Sequence, residues 1–196
     1  PLPPHPTCPS PPTTRIFLSV VAERGMRLVK GDVPNAYRKA PSQRGRRRGL
    51  RMPEHLREYD SDGVEFVLIY ANAMWGEETA GYEWDVFFGE CRTEIGWTDC
   101  VGTPGLWAFG ESMMIGEVDD FLIAEPFDGS FAIAARTIAL LEQKVDDEIK
   151  VEAEPTAYAG WQLARSDDLT RLTLRVTEKV IEAAREHTPD VLEGWR

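Results

Sequence analysis

The chain has 196 residues, enough for one domain with a real core or for two small ones. It carries 22 Lys and Arg against 33 Asp and Glu, a net charge of −11, and that average argues against a nucleic-acid binder. The average conceals a split, because residues 15–57 hold 12 basic and 3 acidic residues while residues 58–196 hold 10 basic and 30 acidic ones.

Residues 1–12 contain seven prolines and read as a polyproline or disordered lead, with 1–13 outside the folded domain. Thr13 or Thr14 is expected to cap a helix whose apolar positions include Ile16, Phe17, Val20 and Val21 and which ends at Gly25. Met26 to Asp32 reads as a strand, and Pro34 opens a turn or short helix over residues 35–39. Residues 40–63 read as a long loop. Val64 to Ala71 is the strongest strand signal, and its continuous apolar character predicts burial on both faces. Residues 77–95 predict an amphipathic helix with Ala80, Trp84, Phe87, Phe88 and Cys91 on one side. Leu106 to Phe109 is a short strand. Residues 113–124 read as a hairpin with two apolar arms and a polar tip. A helix over 130–145 and a strand at 149–151 follow. A second hairpin pairs 158–164 with 169–176, and Thr177 caps a last helix through Glu186. The pattern is an α+β domain with helices on one side of a mainly antiparallel sheet.

No stretch approaches the ~20 apolar residues of a membrane span, and no basic-then-apolar leader is read at the start. Cys8, Cys91 and Cys100 are odd in number and lack CxxC spacing. They fit a reducing, intracellular setting (cytoplasm or nucleus) better than a disulfide or zinc framework. His5, His55 and His187 are scattered and read as surface residues.

Asp-Asp occurs at 119–120, 146–147 and 167–168, and acidic pairs are ordinary turn residues. Only Asp119-Asp120 lies between two purely apolar arms, whose burial would hold the carboxylates rigidly. Adjacent like charges repel, so a cation would favour the arrangement, and magnesium suits hard oxygen donors. Asp32 ends a strand before a proline turn. It reads as a helix cap, or as a third carboxylate converging on the pair as two-metal phosphoryl transfer requires.

Four motifs in order carry a resemblance. Gly31-Asp32-Val33-Pro34-Asn35-Ala36-Tyr37 resembles reverse-transcriptase motif A. Met74 to Gly81 is similar to the copia-type motif B. Glu117-Val118-Asp119-Asp120 followed by Phe-Leu-Ile-Ala resembles motif C. Tyr158-Ala159-Gly160-Trp161-Gln162-Leu163 resembles motif E, the primer grip. The chain thus resembles the palm of a copia-type retrotransposon reverse transcriptase over residues 14–188, with a tail at 189–196.

The resemblance implies a palm with a ferredoxin-like core and an RNA-directed DNA polymerase activity. It makes Asp32, Asp119 and Asp120 the catalytic and metal-binding triad for Mg2+ or Mn2+. It makes Tyr37 the plate under the incoming sugar, Gly76 a point of close nucleotide approach, and Gly160 and Trp161 the primer-holding turn. The implied partners are template-primer, deoxynucleoside triphosphates and the rest of a retrotransposon polyprotein, with no membrane. Each residue also has a plain reading: Tyr37 and Trp161 as core aromatics, Gly76 as a helix-start glycine. The run Arg44, Arg46, Arg47, Arg48 and Arg51 reads equally as a phosphate-contacting arm, through Arg46, Arg47 and Arg48, or as a solvated loop.

Three positions depart from the family pattern. Glu117 replaces an aromatic residue in motif C, and Glu78 and Thr79 replace lysine and glutamine in motif B. No fingers segment is read before residue 14, and no RNase H or integrase region is read after residue 196. The expectation is an impaired polymerase fragment. The alternatives are a catalytically dead palm-like module for nucleic-acid or protein interaction, and an acidic α+β domain with fortuitous motifs.

Overall fold

In the computed structural model, which describes residues 8–41, 48–74, 76–127, 130–167, 171–178 and 182, the first element is helix α1 (Pro11–Glu23). Strand β1 (Arg27–Asp32) and helix α2 (Ala36–Lys39) follow. Then come β2 (Arg48–Leu50), a 3-10 turn at Glu54–Leu56, β3 (Leu68–Tyr70) and helix α3 (Ala80–Ile95). A run of short strands comes next: β4 (Thr98–Asp99), β5 (Leu106–Phe109), β6 (Ser112–Glu117) and β7 (Asp120–Glu125). Helix α4 (Ala132–Val145) precedes β8 (Lys150–Ala153), β9 (Ala157–Tyr158), β10 (Trp161–Arg165) and β11 (Leu172–Val176). The chain divides into two compact units, one of Asn35–Glu90 and the other of Thr7–Pro34 with Cys91–Arg196.

The second unit is built on a six-stranded sheet ordered β4-β5-β6-β7-β1-β8, every neighbouring pair antiparallel. A three-stranded sheet ordered β11-β10-β9 accompanies it. Residues directly opposite each other in an antiparallel pair point to the same face. Leu28, Ala124, Leu122 and Ile115 therefore share one face. That face packs with Phe17, Leu18 and Val21 of α1 and with Tyr158 and Leu163 of the smaller sheet. Complete burial of such side chains contributes about 1.5–3 kcal/mol each. The other face carries Phe121, Ile123 and Glu125 of β7, all buried. Glu125 Oε1 accepts the backbone N–H of Ala134 in the first turn of α4, and Trp97 Nε1 donates to Thr137 Oγ1 at 3.1 Å. Arg92 lies over the Trp107 ring at 3.8 Å.

This arrangement corrects the expectation of helices on one side only. α1 covers one face and α4 the other, which is why five consecutive β7 residues, 121–125, are buried. The α+β class with antiparallel sheets stands. Among the described residues no helix is long and apolar enough to cross a membrane.

Other expectations also change. α1 starts at Pro11, inside the presumed lead, because proline's missing N–H costs nothing in a first helical turn. Its cap is Ser10, whose Oγ accepts from Thr13 N at 3.2 Å, rather than Thr13 or Thr14, which are buried inside the helix. In the first unit the loop expected over 40–63 contains β2, which pairs with β3 in the register Arg48↔Tyr70. The expected buried strand at 64–71 shrinks to β3. Val64, Phe66, Val67, Leu68 and Ile69 are all more than half exposed, since among the described residues β3 pairs with β2 in a two-stranded ribbon whose apolar side chains nothing covers. The stretch 158–164 is not one strand but two, β9 and β10, broken at Ala159-Gly160. The last helix, expected over 177–186, lies mostly outside the described residues.

Candidate functional site

The register of the large sheet sets four ionisable residues in one row across four strands. Glu117 of β6 stands opposite Asp120 of β7, Asp120 opposite Asp32 of β1, and Asp32 opposite Lys150 of β8. Directly opposite residues in such a ladder have Cα atoms about 4.5–5.5 Å apart. The row lies on the face whose next rows inward are Ile115-Leu122-Lys30 and Leu28-Ala124, so the apolar core fixes the strands and the charged row forms their end.

Asp119 sits in the two-residue turn between β6 and β7. Its carbonyl accepts the Val33 N–H at 2.9 Å, which ties the turn to the chain leaving β1. The preceding Val118 has φ 58°, a left-handed conformation that a β-branched residue rarely adopts. Strain of this kind survives only where the surroundings over-determine it, and here the apolar arms do so.

The electrostatics of the row are those of crowded carboxylates. The Asp119 carboxyl is pushed above its ordinary value, first by burial and then by the charges of Asp120 and Asp32, against the pull of backbone N–H groups. Glu117 is raised by partial burial first, then by Asp120 and Asp119. Two lysines answer part of this charge. Lys30 Nζ lies 3.1 Å from Asp120 Oδ1, both side chains mostly buried, and Lys150 Nζ lies 3.4 Å from Asp32 Oδ2 with the lysine well exposed. Tyr158 of β9 is fully buried, its hydroxyl has no hydrogen-bond partner among the described residues, and burial followed by the nearby Glu117 and Asp120 charges raises its pKa well above the usual phenol value.

The donor set suits a hard divalent cation: three carboxylates at one end of the sheet, one of them raised by burial and by its like-charged neighbours. As the side chains stand, two of the three face lysines, and among the described residues no group of three or more His, Cys, Asp or Glu is arranged to hold a metal ion. Asp32, Asp119 and Asp120 are nevertheless together, although β1 and the β6–β7 hairpin are far apart in sequence.

The remaining candidate residues are distributed. Gly160, φ 81°, forms the β9–β10 turn with Ala159, and its carbonyl accepts the Thr177 N–H at 3.0 Å. Trp161 is partly buried against the core cluster that includes Tyr158. Tyr37 and Gly76 belong to the first unit. Tyr37 is half-buried in α2, and Gly76 is exposed with φ 87° and open space where a Cβ would stand. Beside Gly76, Glu77 accepts from Tyr70 Oη at 2.8 Å and from Met74 N at 2.9 Å. Arg46 and Arg47 lie outside the described residues, as does the Arg48 side chain. Arg51, the last of the arginine run, is well exposed and pairs with Glu65 at 2.6 Å.

Sequence reasoning missed Lys30, Lys150 and the buried position of Tyr158. Lys30 had a signal, since two residues before Asp32 in a strand is the same face. Lys150 sits between Ile149 and Val151, so alternation turns it away from them. No family model matches the chain, and no curated protein matches it.

Proposed function

We propose that this chain is the palm of a copia-type RNA-directed DNA polymerase, with Asp32, Asp119 and Asp120 as its Mg2+- or Mn2+-binding carboxylates. The observation that carries the reading is the β1–β7 register, in which the aspartate of one motif stands opposite the aspartate of another. The antiparallel sheet between α1 and α4, with the β9–β10 turn at its side, is compatible with a ferredoxin-like palm. Two divalent metals held there would supply two-metal chemistry, one activating a primer 3′-hydroxyl and the other stabilising the leaving pyrophosphate. Asp119, raised first by burial and then by the Asp120 and Asp32 charges, would be relieved by a cation. Gly160 and Trp161 would hold the primer end, Tyr37 would exclude a ribose 2′-hydroxyl, and Arg46, Arg47 and Arg48 would contact template phosphates. Glu117 adds a carboxylate where the transferred phosphoryl group needs positive charge, so turnover is impaired. The setting is intracellular, within a retrotransposon polyprotein.

A second reading, a catalytically inert palm-like interaction module, is favoured by the Lys30–Asp120 and Lys150–Asp32 pairs, which satisfy two carboxylates without metal. Primer extension on an RNA template, with deoxynucleoside triphosphates and Mg2+ or Mn2+, separates the two. The polymerase reading expects weak extension that Asp119→Asn abolishes. Extension indistinguishable from that variant, with template-primer still bound, supports the inert module. Failure to bind template-primer at all removes both nucleic-acid readings.

A further inference from the structure

Lys30 is set within β1 on the same face as Asp32, one row inward from the carboxylates, and reaches diagonally across to Asp120. Its side chain is 22% exposed and that of Asp120 30%, so this pair is far more enclosed than Lys150–Asp32, where the lysine is 74% exposed. Charge attraction between partly buried groups is screened less than at the surface. Around Asp120 the register sets Glu117 opposite on one side, Asp32 opposite on the other, Asp119 adjacent, and Leu122 and Ile115 one row inward. Without a cation, three carboxylates in contact with a buried core would repel one another. Lys30 is the enclosed positive group that answers them.

We infer that Lys30 is a resident counter-cation of the carboxylate cluster, a positioning residue that holds the metal-free site together and competes with a divalent metal for Asp120. This inference rests on the metal-binding reading above and adds the regulation of that site. Metal entry then requires Asp120 to exchange its ammonium partner for the ion. The carboxylate cluster is thereby kept folded when metal is scarce, and its metal affinity is set low by a residue of the chain itself. A positive charge a few ångströms from the ion also opposes binding directly.

The test is Mn2+ binding, followed by electron paramagnetic resonance of free Mn2+, together with thermal unfolding in a chelator. The wild-type chain, Lys30→Met, Lys30→Arg and Asp119→Asn are compared. Lys30→Met should bind Mn2+ on the order of tenfold more tightly than wild type, and its metal-free form should melt at a lower temperature that Mn2+ restores. Lys30→Arg keeps the charge and should behave as wild type, whereas Asp119→Asn should lose the site. If Lys30→Met does not fold in chelator, Lys30→Gln retains a polar contact to Asp120 and should show the same gain. Equal affinity in wild type, Lys30→Met and Lys30→Gln, with binding still abolished by Asp119→Asn, overturns the role of Lys30 while leaving the metal reading intact. No binding by any folded variant overturns the metal reading itself, and the inference with it.

Discussion

Gly31 lies between two site features, one residue before Asp32 and directly opposite Phe121. A Cβ built at Gly31 would stand 2.6 Å from both Cε1 and Cε2 of the Phe121 ring, which is 1% exposed. Carbon atoms pack best at about 3.5–4.0 Å, and the ring's Cζ is closer still, so Gly31→Ala forces a displacement of more than about 1 Å in a fully buried ring. Overpacking of this kind costs about 1–3 kcal/mol. Loss of the glycine's freedom in the unfolded chain offsets about 0.4–1 kcal/mol. The net destabilisation should be about 1–2 kcal/mol, a fall in Tm of about 2–4 °C per kcal/mol at this chain size. Urea unfolding followed by tryptophan fluorescence should show a lower midpoint at unchanged slope. In a Phe121→Leu background the same substitution should lose most of its penalty, a coupling of about 1 kcal/mol. A full penalty persisting in that background, or none in the wild-type chain, would refute the close packing of β1 against β7 on which the site depends.

Other outcomes follow from the same geometry. Asp119 and Glu117 have folded-state pKa values above their ordinary ones, so their contribution to stability is lost as pH rises from the carboxylate range through the raised values. Asp119→Asn in chelator should therefore be more stable than wild type at neutral pH, by under about 1 kcal/mol after solvent screening, with the difference vanishing near pH 4 in pH-dependent urea unfolding. Val118→Gly should relieve the left-handed strain of the hairpin tip, worth about 1–2 kcal/mol, and raise the midpoint net of glycine's entropy; a lower midpoint would mean that the tip is unstrained. Ile69 is 64% exposed, so Ile69→Lys should change stability by less than about 0.5 kcal/mol and reduce light scattering at high concentration, and a larger loss would place this residue in a core.

The site was more legible in the sequence than the first unit. The hairpin at 112–125 is written as two apolar arms about an acidic tip, and period-independent apolarity in its second arm reports burial on both faces. The identical signal at 64–71 misleads. A run such as VEFVLIY states what its residues would gain from burial but not whether anything covers them, and here nothing described in that ribbon does. β2 was invisible because its arginine-rich surroundings carry no apolar period, and its strand state comes from pairing with β3. The lysine partners were hidden for a different reason. Lys30 and Lys150 are placed by cross-strand register, a tertiary quantity, and only the alternation around Asp32 hinted at one of them.

The central claim is that Asp32, Asp119 and Asp120 act together on one divalent-cation site. Paramagnetic broadening of amide resonances during titration of 15N-labelled protein with Mn2+ tests it most directly. Amides of Asp32, Val33, Asp119 and Asp120 should broaden first and together, and Asp119→Asn should remove the effect. Broadening that begins at the other acidic pair, Asp146-Asp147, or that is unchanged in Asp119→Asn, would contradict it.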